Sequence, residues 1–406
     1  MSFALKKIAL ILSMTKASLP SFAARFFRPF AGLLFAVIKL LRPARHKVTL
    51  IGRQSDTTPV DFTLLMRELG LQDRSLKVKI LSSSDATRSS RSMGHLRQTI
   101  RELWHIANSS AVVLDSYTPS ISYFSQRKNL YVLQMWHTLA AIKRFSWQAV
   151  DTPNGCDSRI AHAFRMHANY TAALVAGEAS REIFRHAFRI KRARIHVLPL
   201  PRVDILRSPD MNRMDMLIAS QRELFTYTPL IFYAPTFRTE LQASEQWLDN
   251  LKALAQSVEQ RGGTLIVKTH FRQSAFAQES DLQSLQSPQF VLDPEIDTFD
   301  LLTIADHVIT DYSAIAFEAA VAGKPLWFYL PDIDDYRESN GINIDPESYL
   351  PRACYRDSEE LMDVLIQTSL PSSEQEQFLR HFVQIPSKTS VTSTKQIARL
   401  ILQGIQ

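Results

Sequence analysis

The stretch from His307 to Phe328, HVITDYSAIAFEAAVAGKPLWF, constrains the fold more than any other part of the chain. Its apolar run His307 to Ile309 suits a buried strand. The polar turn Thr310-Asp311-Tyr312-Ser313 follows, and the small-residue stretch Ala314 to Ala322 predicts a helix. Gly323 suits the helix stop, Pro325 forbids continuation, and Leu326 to Leu330 reads as a second strand. Strand, turn, helix, strand puts the turn where a parallel sheet presents its ligand. Ser313 stands as N-cap of that helix, and the N–H groups behind it suit an anion. Taken alone, the same pattern also describes a capped helix that binds nothing.

The alternation runs through the whole chain from Lys47. Strands are expected at Val48 to Ile51, Val78 to Leu81, Ala111 to Leu114, Leu130 to Met135, Ala172 to Val175 and Ile195 to Leu198. Helices are expected between them, among them Phe62 to Leu69, Leu96 to Asn108 and Glu178 to Phe188. After a polar, irregular connection at Arg207 to Tyr227, the pattern restarts with strands at Leu230 to Tyr233 and Thr264 to Lys268. The helices Gln246 to Arg261 and Thr298 to Ala305 belong to this second half. This is an α/β chain with two Rossmann-type domains, residues 46–210 and 225–375, their parallel sheets facing a cleft. Ser358 to Gln367 and Thr392 to Leu402 read as closing helices, with 376–406 as the final segment. Neither a G-x-G-x-x-G nor a G-x-x-x-x-G-K-[ST] pattern is present, which excludes the dinucleotide fingerprint and the P-loop.

Charge separates the N-terminus from the rest. Net charge is +7, yet the first 55 residues hold ten Lys or Arg and no acid, so the remaining 37 basic residues face 40 acidic ones. That distribution argues against a nucleic-acid partner, which needs basic residues spread over a binding face. Within residues 1–45, the run Phe30 to Leu41 is interrupted by Lys39 and too short to span a bilayer. Arg25, Arg28, Arg42 and Arg45 surround it, with phenylalanines interleaved. The composition fits an interfacial helix on an anionic leaflet, hence a peripheral protein of the membrane's cytoplasmic face. A signal peptide and an ordinary core helix with a basic flank are the competing readings. The two cysteines, Cys156 and Cys354, are too far apart in sequence to form a ligand cluster, so neither a disulfide framework nor a metal site is expected.

Four turns at strand ends carry the candidate chemistry. Trp136-His137-Thr138 follows the run ending at Met135, and a His there can act as a base or simply bond its own loop. Arg238, ending the stretch YAPTFR, suits a phosphate clamp or a solvated surface. Lys268 and His270 can share one anion or form an idle basic rim. The turn Thr310, Asp311, Ser313 is followed on its helix by Glu318, a partner for ribose or polyol hydroxyls or for a salt bridge.

These residues lie in blocks that resemble the CDP-glycerol glycerophosphotransferases, which include teichoic acid primases and polymerases. The matching blocks are YVLQMWHTLAAIKRF (Tyr131 to Phe145), AALVAGEASREIFRHAF (Ala172 to Phe188), LPRVD (Leu200 to Asp204), YAPTFR, VKTH (Val267 to His270) and DTFDLLTIADHVITDYSAIAFEAAVAGKPLWFY (Asp297 to Tyr329). The resemblance implies a GT-B fold and transfer of glycerol phosphate from CDP-glycerol to a hydroxyl of a lipid-linked acceptor, with release of CMP. It implies His137 as catalytic base, His270 as a second catalytic histidine, and Trp136, Arg238, Lys268, Thr310, Asp311, Ser313 and Glu318 at the substrate. No cofactor or metal is required, because cationic side chains can hold the phosphoryl oxygens. Thr138, Ala314 and Glu318 depart from the family's usual Gly, Ser and Asp, which leaves CDP-ribitol or another CDP-polyol as alternative donors; a glycosyltransferase of the same architecture using a sugar nucleotide is the competing reading.

Overall fold

Continuous apolar runs, alternating with helices, build two all-parallel sheets. The computed structural model describes residues 26, 28–54, 57–82, 92–153, 155–236, 245–268, 287–292, 294–368, 371–387 and 391–406. Helix α1 covers residues 28–41. The first sheet follows with β1 (Lys47–Gly52), α2 (Val60–Gln72), β2 (Lys77–Ser82), α3 (Ser92–Ala107), β3 (Ala111–Leu114), α4 (Pro119–Ser122) and β4 (Tyr131–Gln134). It is completed by α5 (Ser158–Ala163), β5 (Ala172–Val175), α6 (Arg181–Phe188) and β6 (Ile195–Val197). Its order is β2-β1-β3-β4-β5-β6. Strands β1, β3, β4 and β5 are buried end to end, because helices cover both faces of a parallel sheet.

The connection holds α7 (Arg202–Arg207) and α8 (Met211–Ser220). This corrects the expected irregular segment. The Asp210 carboxylate caps α8 by accepting the Arg213 N–H at 3.2 Å, and Met214 is its one buried residue. Met211, Met214 and Leu217 do follow helical spacing, but the run is short and set among polar residues, so the signal is weak.

The second sheet comprises β7 (Leu230–Ala234), β8 (Thr264–Val267), β9 (Phe290–Leu292), β10 (His307–Thr310), β11 (Leu326–Tyr329) and β12 (Cys354–Tyr355). Its helices are α9 (Glu245–Gln260), α10 (Thr298–Ile304), α11 (Ile315–Val321), α12 (Ile333–Ser339), α13 (Pro346–Tyr349) and α14 (Ser358–Leu365). The order β12-β11-β10-β7-β8-β9 reverses direction between β7 and β10, the crevice where open α/β sheets bind ligands. Gly323 ends α11 in the left-handed region (φ 70°), as its position after the last helical residue predicted.

Two closing helices lock the domains. In α15 (Ser373–Phe382), Phe378 stacks on Phe317 of α11 with ring centroids 5.0 Å apart. The chain then crosses back, and α16 (Ser393–Gly404) meets α2, where Gln72 donates to the Lys395 carbonyl at 3.3 Å. On the cleft side, residues 142–144 and 341–343 pair as backbone: Arg144 N–H donates to the Gly341 carbonyl (3.2 Å) and Asn343 N–H to Ile142 (2.7 Å). Gly341 (φ 74°) allows this, since a Cβ there would lie 2.7 Å from Arg144 Cδ. One apolar core runs from β1 and α2 through β7, β10 and α11, and each domain adds a second cluster on its outer side.

Candidate functional site

The strand ends of both sheets open on one cavity of about 730 Å³. Its walls include Trp136, His137, Lys143 and Arg144 from the first domain and Thr236 and Ser313 from the second. Of the residues singled out in the sequence, the structure brings Trp136, His137 and Ser313 together on this cavity.

The His137 arm is built by its backbone. Gln134, buried at the end of β4, accepts the Trp136 N–H at 2.9 Å and donates to the Ser116 carbonyl (3.1 Å) and the Tyr170 hydroxyl (2.9 Å). This holds Trp136 in the left-handed region (φ 62°) and turns the chain sharply into the cleft. His137 Nδ1 lies 3.0 Å from the Asp115 carbonyl oxygen. A carbonyl only accepts, so Nδ1 carries the proton and Nε2 the basic lone pair. The Trp136 ring packs on the imidazole, centroids 4.5 Å apart.

Across the cavity the polar residues are tied to neighbouring main chain. Thr310 Oγ1 donates to the Ala234 carbonyl (2.8 Å). Asp311, buried, accepts the N–H groups of Thr236 (2.7 Å) and Tyr312 (2.6 Å), joining the two turns at the switch between β7 and β10. Lys268 Nζ donates to the carbonyls of Pro294 and Ile296, both at 2.8 Å. The expected N-cap role of Ser313 is corrected: Ala314 occupies that position, and Ser313 Oγ is 3.5 Å from the Ile315 N–H. Arg238 and His270 lie outside the described residues.

Glu318 is 3% exposed and is not on the cavity wall. Its Oε1 accepts from Arg202 at 2.9 Å. Burial raises its carboxyl pKa, with the Arg202 charge opposing. Arg202 also grips the buried Asp61 of α2, with Nη2 2.5 Å from Oδ2, and donates to the His137 carbonyl at 3.1 Å. One side chain thus joins α2, the His137 turn and α11. In the same LPRVD block, Asp204 caps α16 by accepting the N–H groups of Ser393 (3.0 Å) and Thr394 (2.9 Å).

Arg202, Asp61 and Asp115 were not among the sequence candidates. Asp115 directly follows β3, so the strand-end rule applied to the other turns would have found it. Its Oδ1 accepts the Arg53 N–H at 3.0 Å. Burial pushes its carboxyl up to about 6 against that bond. Arg202 lies in the LPRVD block, but its pairing with Asp61, 141 residues away, has no local signal.

A second surface lies on α1. Phe35 is buried against the first domain, its ring 5.5 Å from that of Phe124. The opposite side exposes Phe30, Leu33, Leu34, Val37, Leu40 (82%) and Leu41 (71%). Among the described residues no helix is long and apolar enough to cross a membrane.

Known proteins share this chain's pattern over nearly its full length. The profile of the CDP-glycerol:poly(glycerophosphate) glycerophosphotransferase family matches residues 34–403. A teichoic acid ribitol-phosphate primase of Bacillus spizizenii is 27% identical over 84% of this chain and 88% of its own length. A teichoic acid glycerol-phosphate primase of Bacillus subtilis is 28% identical over 65% of this chain and 67% of its own. A solved structure of the wall teichoic acid polymerase TagF superposes with a TM-score of 0.67 at 18% identity, covering 96% of this chain and 98% of that one, a likeness of fold.

Proposed function

The chain belongs to the CDP-glycerol:poly(glycerophosphate) glycerophosphotransferase family and is a transferase; from that premise we propose that it moves glycerol phosphate from CDP-glycerol to a hydroxyl of a lipid-linked surface-polymer acceptor. The observation that carries the reading is His137, anchored through Nδ1 and set on the same cavity as Ser313 of the opposite domain. In the reaction the acceptor oxygen forms a bond to the phosphorus that bears glycerol. The bond from that phosphorus to the bridging oxygen breaks, and CMP leaves with that oxygen. The acceptor proton passes to Nε2 of His137, and the Asp115 carbonyl steadies the resulting imidazolium through Nδ1–H. Lys143 and Arg144 on the cavity wall, with Arg238 and His270, supply positive charge to the phosphoryl oxygens. Thr310, Asp311 and Lys268 shape the donor side by holding its turns.

CDP-ribitol is the competing donor, because one relative of near-full coverage is named a ribitol-phosphate primase. The deciding experiment measures CMP release from each donor with a lipid-linked acceptor, for the wild type and His137→Ala. Acceptor-dependent release from one donor, reduced about 10³-fold in the variant, is expected. Turnover of neither donor overturns the reading and shifts the search to sugar nucleotides.

We further propose that the enzyme sits peripherally on the cytoplasmic face of the membrane, a reading supported by the exposed apolar side of α1 and the basic residues around it. Leu33→Glu with Leu40→Glu is expected to abolish co-sedimentation with anionic vesicles. Unchanged sedimentation removes α1 as the anchor.

A further inference from the structure

The charge balance of the folded domains hides a local concentration. Residues 181–194 hold six Lys or Arg and one acid, Glu182. Arg181, Arg185 and Arg192 share Glu178 and Glu182 at 2.5–3.0 Å. Arg194 donates to the Tyr170 carbonyl at 3.2 Å. Arg189 and Lys191 are exposed and make no ion pair among the described residues. Both line a groove of about 560 Å³ with Trp147, Gln148 and Arg185, distinct from the catalytic cavity. One of these two cations is held in place. Arg189 is the left-handed C-cap of α6 (φ 51°), and its guanidinium lies 3.5 Å from the centre of the Trp147 ring. Stacking of this kind orients a guanidinium while leaving its N–H edge to an anion.

The groove also adjoins the reaction site. Trp147 is three residues from Arg144, so the chain separates them by at most about 11 Å. Lys143 and Arg144 face the catalytic cavity, and Trp147 and Gln148 face the groove. Cations therefore continue from where a phosphodiester would be made to a surface channel beside it. A ligand with one anionic charge per short repeat matches such a row, and a single phosphate does not.

Resting on the transferase reading above, we propose that the groove of Arg189 and Lys191 over Trp147 binds the polyol-phosphate chain of an acceptor that has already been extended. The occupant is the anionic chain itself, not a lipid headgroup. The site then favours acceptors that carry several repeats over unextended ones.

The test is direct binding of a soluble, labelled glycerol-phosphate hexamer, followed by fluorescence anisotropy, to wild type and to Arg189→Gln/Lys191→Gln. Removing two exposed cation contacts is expected to weaken binding about tenfold. Added salt should erase the difference between the two proteins. Circular dichroism and the Tm check that the variant is folded. A variant affinity within about twofold of wild type overturns the proposal. So does a loss of anionic-vesicle binding in the variant equal to its loss of hexamer binding, which would make the groove a headgroup site. Because binding is read without turnover, its failure is separate from failure of the CMP-release assay. Where turnover is observed, the ratio of kcat/KM for extended over unextended acceptor should exceed one and collapse toward one in the variant.

Discussion

The two edges of the cleft use their polar residues in opposite ways. At the first sheet, main-chain carbonyls and the buried Gln134 hold the turn, and the His137 side chain is presented to the cavity. At the second sheet, the side chains of Thr310, Asp311 and Lys268 hold the main chain, and the turn itself, with Ser313, is presented. A base must offer a lone pair, so its side chain has to be delivered. A phosphate site is served by N–H groups and hydroxyls, so fixing the backbone suffices. On the proposed reading, a polar residue at a strand end either reaches the ligand itself or holds the backbone that does.

Substitutions can break or sharpen this contrast. The largest effect belongs to His137→Ala, where the about 10³-fold loss of CMP release corresponds to roughly 4 kcal/mol of barrier. A donor KM that stays unchanged would mark the residue as acting on chemistry. Next is Arg202→Met, which strands the buried Asp61 and Glu318 and releases the His137 carbonyl. Unfolding in urea should show about 3 kcal/mol of lost stability. A midpoint equal to wild type would show that the two domains do not depend on this junction.

Asp115 gives a pH signature. Its folded carboxyl sits at about 6, above its ordinary 3.8. The folded state thus holds a proton that the unfolded state has released, and wild-type stability falls as pH rises from about 4 to 7. Asp115→Asn lacks this loss and keeps an acceptor for Arg53 N–H. Its stability relative to wild type should rise by about 2–3 kcal/mol over that range, read from denaturant midpoints. A gap that is constant with pH would show that the carboxyl is not desolvated. The smallest effect is expected at Ser313→Ala, with about a fivefold rise in donor KM from one lost neutral hydrogen bond and no change in Tm. A fall in Tm instead would make Ser313 a structural residue like Thr310, and the contrast between the edges would weaken.

Much of the fold was legible because burial on both sheet faces forces unbroken apolar runs. The strands Ala111–Leu114 and Ala172–Val175 fall where their runs predict. The connection at 207–227 reads as irregular because the helical spacing of Met211, Met214 and Leu217 in α8 is short and set among polar residues. At the site, strand ends marked His137 and the Asp311 turn, but not which side chains leave the sheet. Asp311 and Ser313 are two residues apart, and one is buried under Thr236 N–H while the other faces the cavity.

By itself, then, the sequence determined the α/β architecture, the order of the two sheets along the chain and the loops that meet at the cleft, because hydrophobic period and turn chemistry act over a few residues. Tertiary structure alone decided the roles within those loops. Glu318 faces Arg202 rather than the cavity, α1 buries Phe35 while exposing its other side, and Arg189 and Lys191 border a groove near Lys143 and Arg144 on the cavity wall. Each of these depends on which distant group occupies the neighbouring space. Burial and ion pairing are decided by those neighbours, which local sequence does not encode.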